Sequence, residues 1–269
     1  MKTPDFHIHS CFSPDSTMRP AEAVEAAIKS GITDMCFTEH MDLGHHIDSF
    51  NRIPHFDEMY ASICDLRCQY PNINIHCGIE AGYISQTAKQ TAQVLSQQNF
   101  DYVLLSTHCV DGLDCYLPES KRGRDKITAY TRYLETLYDS ISDTYLLNHY
   151  DCIGHIGYIA KCRYYEDNTM PYELFPKLFD AILSLIIKNE KGIEVNTSGI
   201  KRAGHVLPHP SVIQRYYELG GRIITIGSDA HTPDRVGANV ADTIALIKNC
   251  GFKEFTVFNR RVPEYCSII

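Results

Sequence analysis

His7 and His9 near the start of the chain and Asp229 and His231 near its end share one spacing, two potential metal ligands at positions i and i+2. On a strand that spacing sends both side chains off the same face, so each pair can offer two ligands to one cation. Between the pairs, His40, Glu80, His108 and His155 follow apolar runs, and Asp15 lies in the loop Phe12-Ser13-Pro14-Asp15. Glu80 is the natural bridge between two cations, because one carboxylate carries two oxygens. Taken singly, each residue has a plainer reading: Asp229 as a helix cap, His231 on the surface, Asp15 in a turn, and His40, His108 or His155 as a satisfied structural histidine. Their weight lies in a shared position near strand ends, which a metal site assembled from many strands requires and a histidine-rich surface does not. His45, His46, His55, His76, His149, His205 and His209 are left out as mostly surface or loop residues, since a site has limited room.

The elements that must position these groups are legible as alternating patterns. Strand-like runs at 5–9, 34–38, 73–79, 101–106, 152–155, 192–196 and 222–227 alternate with helical patterns, among them 20–30, 127–141, 172–188, 211–219 and 240–249. A further run, 255–258, ends in no metal-type residue. Pro20 and Pro171 suit first helical turns, and Gly31, Gly220 and Gly251 suit helix C-termini. Repeated strand–helix units imply parallel strands joined by right-handed crossovers. An open doubly wound sheet would draw its ligands mainly from the two strands flanking one switch point. Here nearly every strand ends in a candidate ligand, so the ends must converge, as they do on the C-terminal face of a barrel. Seven such strands predict an α/β fold, a distorted (β/α)7 TIM-like barrel short of the usual eight. No linker, low-complexity segment or composition shift divides the chain, so 1–269 reads as a single domain.

Bulk properties narrow the function classes. A chain of 269 residues with 44% hydrophobic and 22% charged residues can bury one sizeable core. A formal charge of −8 without a basic run argues against nucleic-acid partners. The longest apolar stretch, near 181–187, is too short to span a bilayer, and Met-Lys-Thr-Pro-Asp runs straight into the first motif. A cytoplasmic enzyme with no membrane partner is the expectation. The 11 cysteines contain no C-x-x-C pair, and Cys64 and Cys68 stand four apart on an expected helix. Reduced, mostly buried thiols are therefore expected, in preference to disulfides or a thiolate metal site.

The segments H-I-H-S (7–10), T-E-H (38–40), G-I-E (78–80), S-T-H (106–108), G-H-I (154–156), N-T-S-G (196–199) and G-S-D-A-H (227–231) resemble the polymerase-and-histidinol-phosphatase (PHP) superfamily. The matches run in order from residue 5 to residue 237, and stretches 154–164 and 194–202 are similar to its stand-alone histidinol-phosphatase branch. The resemblance implies a PHP-type barrel with three divalent cations (zinc, iron or manganese). The first cation would take His7, His9, Glu80 and Asp229; the second would share Glu80 and add His108 and His155; the third would take Asp15, His40 and His231. Some family members carry histidine where this chain has Asp15, which leaves the third cation's preference open. The implied reaction is hydrolysis of the phosphomonoester L-histidinol phosphate, in histidine biosynthesis, by a hydroxide bridging two metals. Asp229 or His231 would help shuttle the leaving-group proton.

Three cations against ionised Asp15, Glu80 and Asp229 would leave the pocket positive, so an acidic protein can still attract a phosphate dianion. Arg163 and Arg202, each in a loop expected at the barrel mouth, are the candidates to clamp it, with Lys201 and His205 behind them. Asp42, Asp111 and Glu119, in loops 41–50 and 111–119, are candidates for the histidinol moiety. Two other readings stand beside this one. A related phosphatase or phosphodiesterase would use the same metals on another sugar phosphate or nucleotide. A non-catalytic metal-binding module would be expected to have lost ligands, whereas all nine positions here hold ligating residues.

Overall fold

The computed structural model describes residues 2–268. In chain order the elements are β1 (Pro4–Ile8), α1 (Pro20–Lys29), β2 (Asp34–Met41), α2 (Phe56–Gln69), β3 (Asn74–Gly82), α3 (Ala88–Ser96), β4 (Tyr102–Ser106), β5 (Cys109–Val110), β6 (Leu113–Asp114) and α4 (Lys126–Ser142). There follow β7 (Cys152–Ile153), α5 (Pro176–Lys188), β8 (Gly192–Asn196), α6 (Gly199–Ala203), α7 (Pro210–Glu218), β9 (Ile224–Gly227), α8 (Val240–Asn249), β10 (Glu254–Asn259) and β11 (Val262–Ser267). Seven strands pair in parallel in the order β1-β2-β3-β4-β7-β8-β9. The ring is nearly closed by a parallel bridge between Ile8 and Ala230. There the His9 amide donates to the Ala230 carbonyl at 2.9 Å and the Asp229 amide to the His7 carbonyl at 2.8 Å. Closure thus laces the two i, i+2 motifs side by side, and the distorted (β/α)7 barrel is the observed architecture.

The strands are buried on both faces, which explains their near-continuous apolar runs. Helices cover the outside with stripes at helical spacing, such as Tyr130, Tyr133, Leu134, Leu137 and Ile141 on α4 and Phe179, Ile182, Leu183 and Ile186 on α5. Each such Leu, Ile or Phe side chain contributes roughly 1.5–3 kcal/mol by leaving water. Pro20 opens α1, and Gly31 and Gly251 adopt positive φ just past α1 and α8.

Several boundaries move. Strands β2 and β3 run on to Met41 and Gly82, so His40 and Glu80 lie inside strands and sit in register beside each other. The 152–155 run keeps only two strand residues, because the chain turns away through Gly157 at φ 102°. The 172–188 pattern splits: Tyr172–Leu174 forms a 3₁₀ turn and the α-helix begins at Pro176, whose ring nitrogen has no hydrogen to donate back into a preceding turn. Pro176, and not Pro171, holds the first helical position.

Run 255–258 joins the antiparallel hairpin β10–β11, which pairs outside the barrel sheet. Its contacts are to strand beginnings: Phe258 stacks on Tyr102 with centroids 5.1 Å apart, and the Arg261 amide donates to the Asp101 carbonyl. The hairpin therefore covers the end of the barrel opposite the ligand-bearing strand ends. All cysteines are unpaired, though the expectation of mostly buried thiols is only partly met, since Cys11, Cys64 and Cys68 are exposed. Among the described residues no helix is long and apolar enough to cross a membrane.

Candidate metal centre

At the C-terminal ends of the strands, His7 Nε2 and His9 Nε2 approach to 3.0 Å. Both face Glu80 Oε2, at 3.3 and 3.4 Å, and Asp229 Oδ1, at 3.7 and 3.5 Å. Four ligand atoms so spaced are what a cation with bonds of about 2.0–2.2 Å gathers around itself. The other oxygen of Glu80 faces His155 Nε2 at 2.8 Å and His108 Nε2 at 3.1 Å. One carboxylate thus reaches two clusters from its two oxygens, as a bridging ligand must. On the remaining side Asp15 Oδ2 lies 2.9 Å from His231 Nε2 and 3.7 Å from His40 Nε2. His40 also turns Nδ1 toward Glu80 Oε2 at 3.0 Å. All nine candidates therefore meet in one place. Ligand atoms lie within 4.8 Å of one another in the groupings His7–His9–Glu80, His40–Glu80–His108, His9–His40–His231 and His7–His155–Asp229. Asp15 stands at the solvent edge and belongs to none of them.

The donor set fits bound cations on physical grounds. Glu80 Oε2, His40 Nδ1 and His231 Nε2 are buried atoms that make no well-directed hydrogen bond, and their near neighbours, at 2.9–3.0 Å, are other members of the cluster. Burial alone would raise the Glu80 carboxyl, yet His7, His108 and His40 hold it well below the usual carboxylate range. Burial opposes charge on His7, but Glu194, Glu80 and Asp229 raise it well above its ordinary value. Burial and the neighbouring His40 and His231 push His9 the other way. A proton on His7 compensates carboxylates that a cation would otherwise neutralise.

A second layer orients the first. Glu194 Oε1 pairs with His7 Nδ1 at 2.6 Å, and Asp42 Oδ1 with His108 Nδ1 at 2.6 Å. Such carboxylate–histidine pairs fix the tautomer and turn Nε2 toward the metal position. Ser106 donates to Glu80 Oε1 at 2.6 Å, and Ser13, held on Glu39 at 2.5 Å, lies 3.0 Å from His9 Nδ1. The close approach needs glycine: a Cβ at Gly82 would meet Asp42 Oδ1 at 1.8 Å, and one at Gly227 would meet His7 Cβ at 2.3 Å and Glu194 Oε1 at 2.4 Å.

Beside the cluster opens a cavity of about 500 Å³. Several expected substrate residues are displaced from it. Arg163 is exposed, ends a 3₁₀ turn with φ 55° and does not line the cavity. Lys161, two residues earlier on that turn, does line it and donates from Nζ to Asp229 Oδ2 at 2.7 Å. Arg202 and Lys201 line it as expected, with the Arg202 guanidinium 5.4 Å from the Tyr116 ring centroid, and Arg235 joins them. Asp42 is buried behind His108 instead of facing the cavity. Asp111 pairs with Arg124 and Arg132 beside a different pocket, and Glu119 is exposed. The carboxylate that does line the cavity away from the cluster is Asp114, 3.4 Å from the hydroxyl of Tyr158, whose ring packs on His108 and His155.

Glu194, Lys161 and Asp114 were not singled out from sequence. Glu194 had a signal, an acidic residue within the apolar run G-I-E-V-N. Lys161 and Asp114 had none, because their direction depends on the turn and the ribbon that carry them.

The PHP domain model matches residues 5–198. A probable histidinol-phosphatase of Clostridium acetobutylicum is 29% identical across 97% of this chain and 98% of its own length. The histidinol-phosphatase of Lactococcus lactis is 28% identical across 96% of this chain and 95% of its own. A crystal structure of the Lactococcus lactis histidinol phosphate phosphatase, complexed with zinc, L-histidinol and phosphate, superimposes with a TM-score of 0.89 at 27% identity, covering 98% of this chain and 99% of that one.

Proposed function

The chain belongs to the PHP domain family, and from that premise we propose that it is a histidinol-phosphatase, hydrolysing L-histidinol phosphate to L-histidinol and phosphate. The observation that carries the reading is one cavity lined by metal-ligating groups and, beyond Tyr158, by Asp114, with Lys161 and Arg202 also on its wall. The Tyr158 ring centroid lies 4.9 Å from that of His155 and its hydroxyl 3.4 Å from Asp114. That arrangement suits a phosphate at the metal-ligating groups and a cationic, imidazole-bearing alcohol reaching toward Asp114. The related enzyme's complex with zinc, L-histidinol and phosphate supports it.

His7, His9, Glu80 and Asp229 would hold one cation, Glu80, His108 and His155 a second, and Asp15, His40 and His231 a third, with zinc, iron or manganese all compatible with the donors. When bound, the cations supply Lewis acidity and activate water for attack on phosphorus.

The chain's own groups do the rest. Lys161 and Arg202 bind the non-bridging phosphate oxygens, the guanidinium by paired N–H donors. Lys161 also keeps Asp229 ionised. Burial would raise that carboxyl, but Lys161 and His7 hold it well below its ordinary value. Asp229 Oδ2 accepts from Lys161 Nζ and, at 3.1 Å, from Ser198 Oγ, while His231 Nδ1 lies 3.7 Å from Asp229 Oδ1. At this edge the ionised Asp229 can accept the proton that the attacking water gives up, and the leaving oxygen would take that same proton from the Asp229–His231 pair. Asp114 receives the ammonium, and Tyr116, Phe50 and Tyr158 pack the imidazole.

Steady-state rates over a panel of phosphate esters test the reading. The expected result is kcat/KM for L-histidinol phosphate at least about 10²-fold above a generic aryl phosphate, consistent with a few kcal/mol of leaving-group recognition. Equal values would remove the substrate assignment.

A further inference from the structure

Outside the nine-residue cluster, three more ligand-bearing side chains meet beside the same cavity, on whose wall His45 lies. His45 and His46 lie on the loop after β2, and Cys109 begins β5. One ring nitrogen of each histidine and Cys109 Sγ lie within 4.8 Å of one another. The two imidazoles stack with centroids 4.8 Å apart. His45 is 3% exposed and Cys109 7%, whereas His46 is open to solvent. Asp114 stands opposite Cys109 in the β5–β6 ladder, and its Oδ2 lies 3.6 Å from His45 Nε2. A carboxylate is therefore at hand beside the two imidazoles and the thiol.

We propose that His45, His46, Cys109 and Asp114 form a further cation site, selective for a borderline divalent metal such as zinc. A thiolate, two imidazoles and a carboxylate make a tetrahedral S/N/N/O shell, with bonds of about 2.0–2.3 Å. Closing ligand atoms from 4.8 Å to the roughly 3.5 Å separations of such a shell asks for a modest movement, which exposed His46 can make. The thiolate sets this site apart from the main cluster, whose nine candidate ligands contain no sulfur.

Occupancy has a consequence that rests on the function proposed above. The cation takes the Asp114 carboxylate and puts positive charge where the substrate's ammonium is received. Excess zinc is then inhibitory, raising KM and leaving kcat nearly unchanged.

The test uses the metal-replete protein titrated with cobalt(II). A near-ultraviolet thiolate-to-cobalt charge-transfer band reports sulfur ligation whatever reaction the enzyme runs. The band should saturate at a single cobalt per chain and vanish in Cys109→Ser. It should require about tenfold more cobalt in His46→Ala and persist in a Cys64→Ser/Cys68→Ser double variant. No band, a band that survives Cys109→Ser, or one unmoved by His46→Ala overturns the site; His46 is exposed, so that variant is informative even if Cys109→Ser folds poorly. In parallel, excess zinc should raise KM for L-histidinol phosphate in the wild type but not in Cys109→Ser. A correct band with an unmoved KM overturns the inhibitory role alone, and the ester panel decides the phosphatase reading separately.

Discussion

At the inner end of the cavity, His7, His9, Glu80 and His155 are each at most 1% exposed and stand in or just past barrel strands. At the outer end, Asp114 and Tyr116 are carried by a two-residue ribbon strand and the loop that follows it. The inner end is positioned by the barrel itself, since parallel pairing sets His40 beside Glu80 and closure sets His7 beside Asp229. Its buried ligand atoms also crowd together at 2.9–3.0 Å without well-directed hydrogen bonds. The outer end is complete without a ligand. The Tyr116 amide donates to Asp114 Oδ1 at 2.7 Å, and fully buried Lys121 donates to the Cys115 carbonyl and to Ser120 Oγ at 3.0 Å. Under the proposed function, a rigid frame that binds the cations would carry the chemistry, and the loop layer would carry the choice of leaving group. Metal binding would then add to folding stability at the first end, and ligand binding would set selectivity at the second.

Variants that break the inner end should show the largest losses. Glu80→Gln keeps the volume but removes the shared charge, and kcat should fall by about 10³-fold or more together with metal content measured per chain. Retained metals and activity would contradict a bridging carboxylate. Glu194→Gln leaves every metal ligand in place yet releases His7, and metal affinity should drop about 10–100-fold, read by competition with a chelator. Between the ends, Lys161→Met should lower kcat/KM about 10²-fold, while Arg163→Ala stays within about twofold. The reverse ranking would mean that the turn after His155 adopts another register in solution. At the outer end, Asp114→Asn should raise KM for L-histidinol phosphate about tenfold and leave aryl phosphate hydrolysis unchanged. Lys121→Met, which loosens the same loop from behind, should produce a smaller shift of about threefold in KM with kcat intact.

The same division explains how much was legible in the sequence. Positions near strand ends are dictated by apolar periodicity, so His7, Glu80, His108 and Asp229 could be placed without a structure, and the barrel followed from their need to converge. Loops obey no such period. Arg163 and Lys161 are two residues apart on one 3₁₀ turn, and only the turn's geometry decides which enters the cavity. Asp42 looked like a loop residue because β2 was expected to stop at Thr38; with the strand running to Met41, its side chain is delivered behind His108. Asp114 gained its place from the β5–β6 ribbon, whose two-residue strands are too short to leave a pattern. The hairpin β10–β11 shows the opposite limit: its apolar run was visible, but its antiparallel pairing away from the barrel sheet was not.

The proposed function requires one cavity to hold cations at its inner end and a histidinol group at its outer end. Anomalous diffraction at metal edges, from crystals soaked with phosphate and L-histidinol, addresses both ends at once. The account predicts three anomalous peaks among His7, His9, Asp15, His40, Glu80, His108, His155, Asp229 and His231, phosphate between them and Lys161 and Arg202, and the imidazole-bearing group against Asp114 and Tyr116. Fewer than two peaks in that cluster, or histidinol seated away from Asp114, would contradict it.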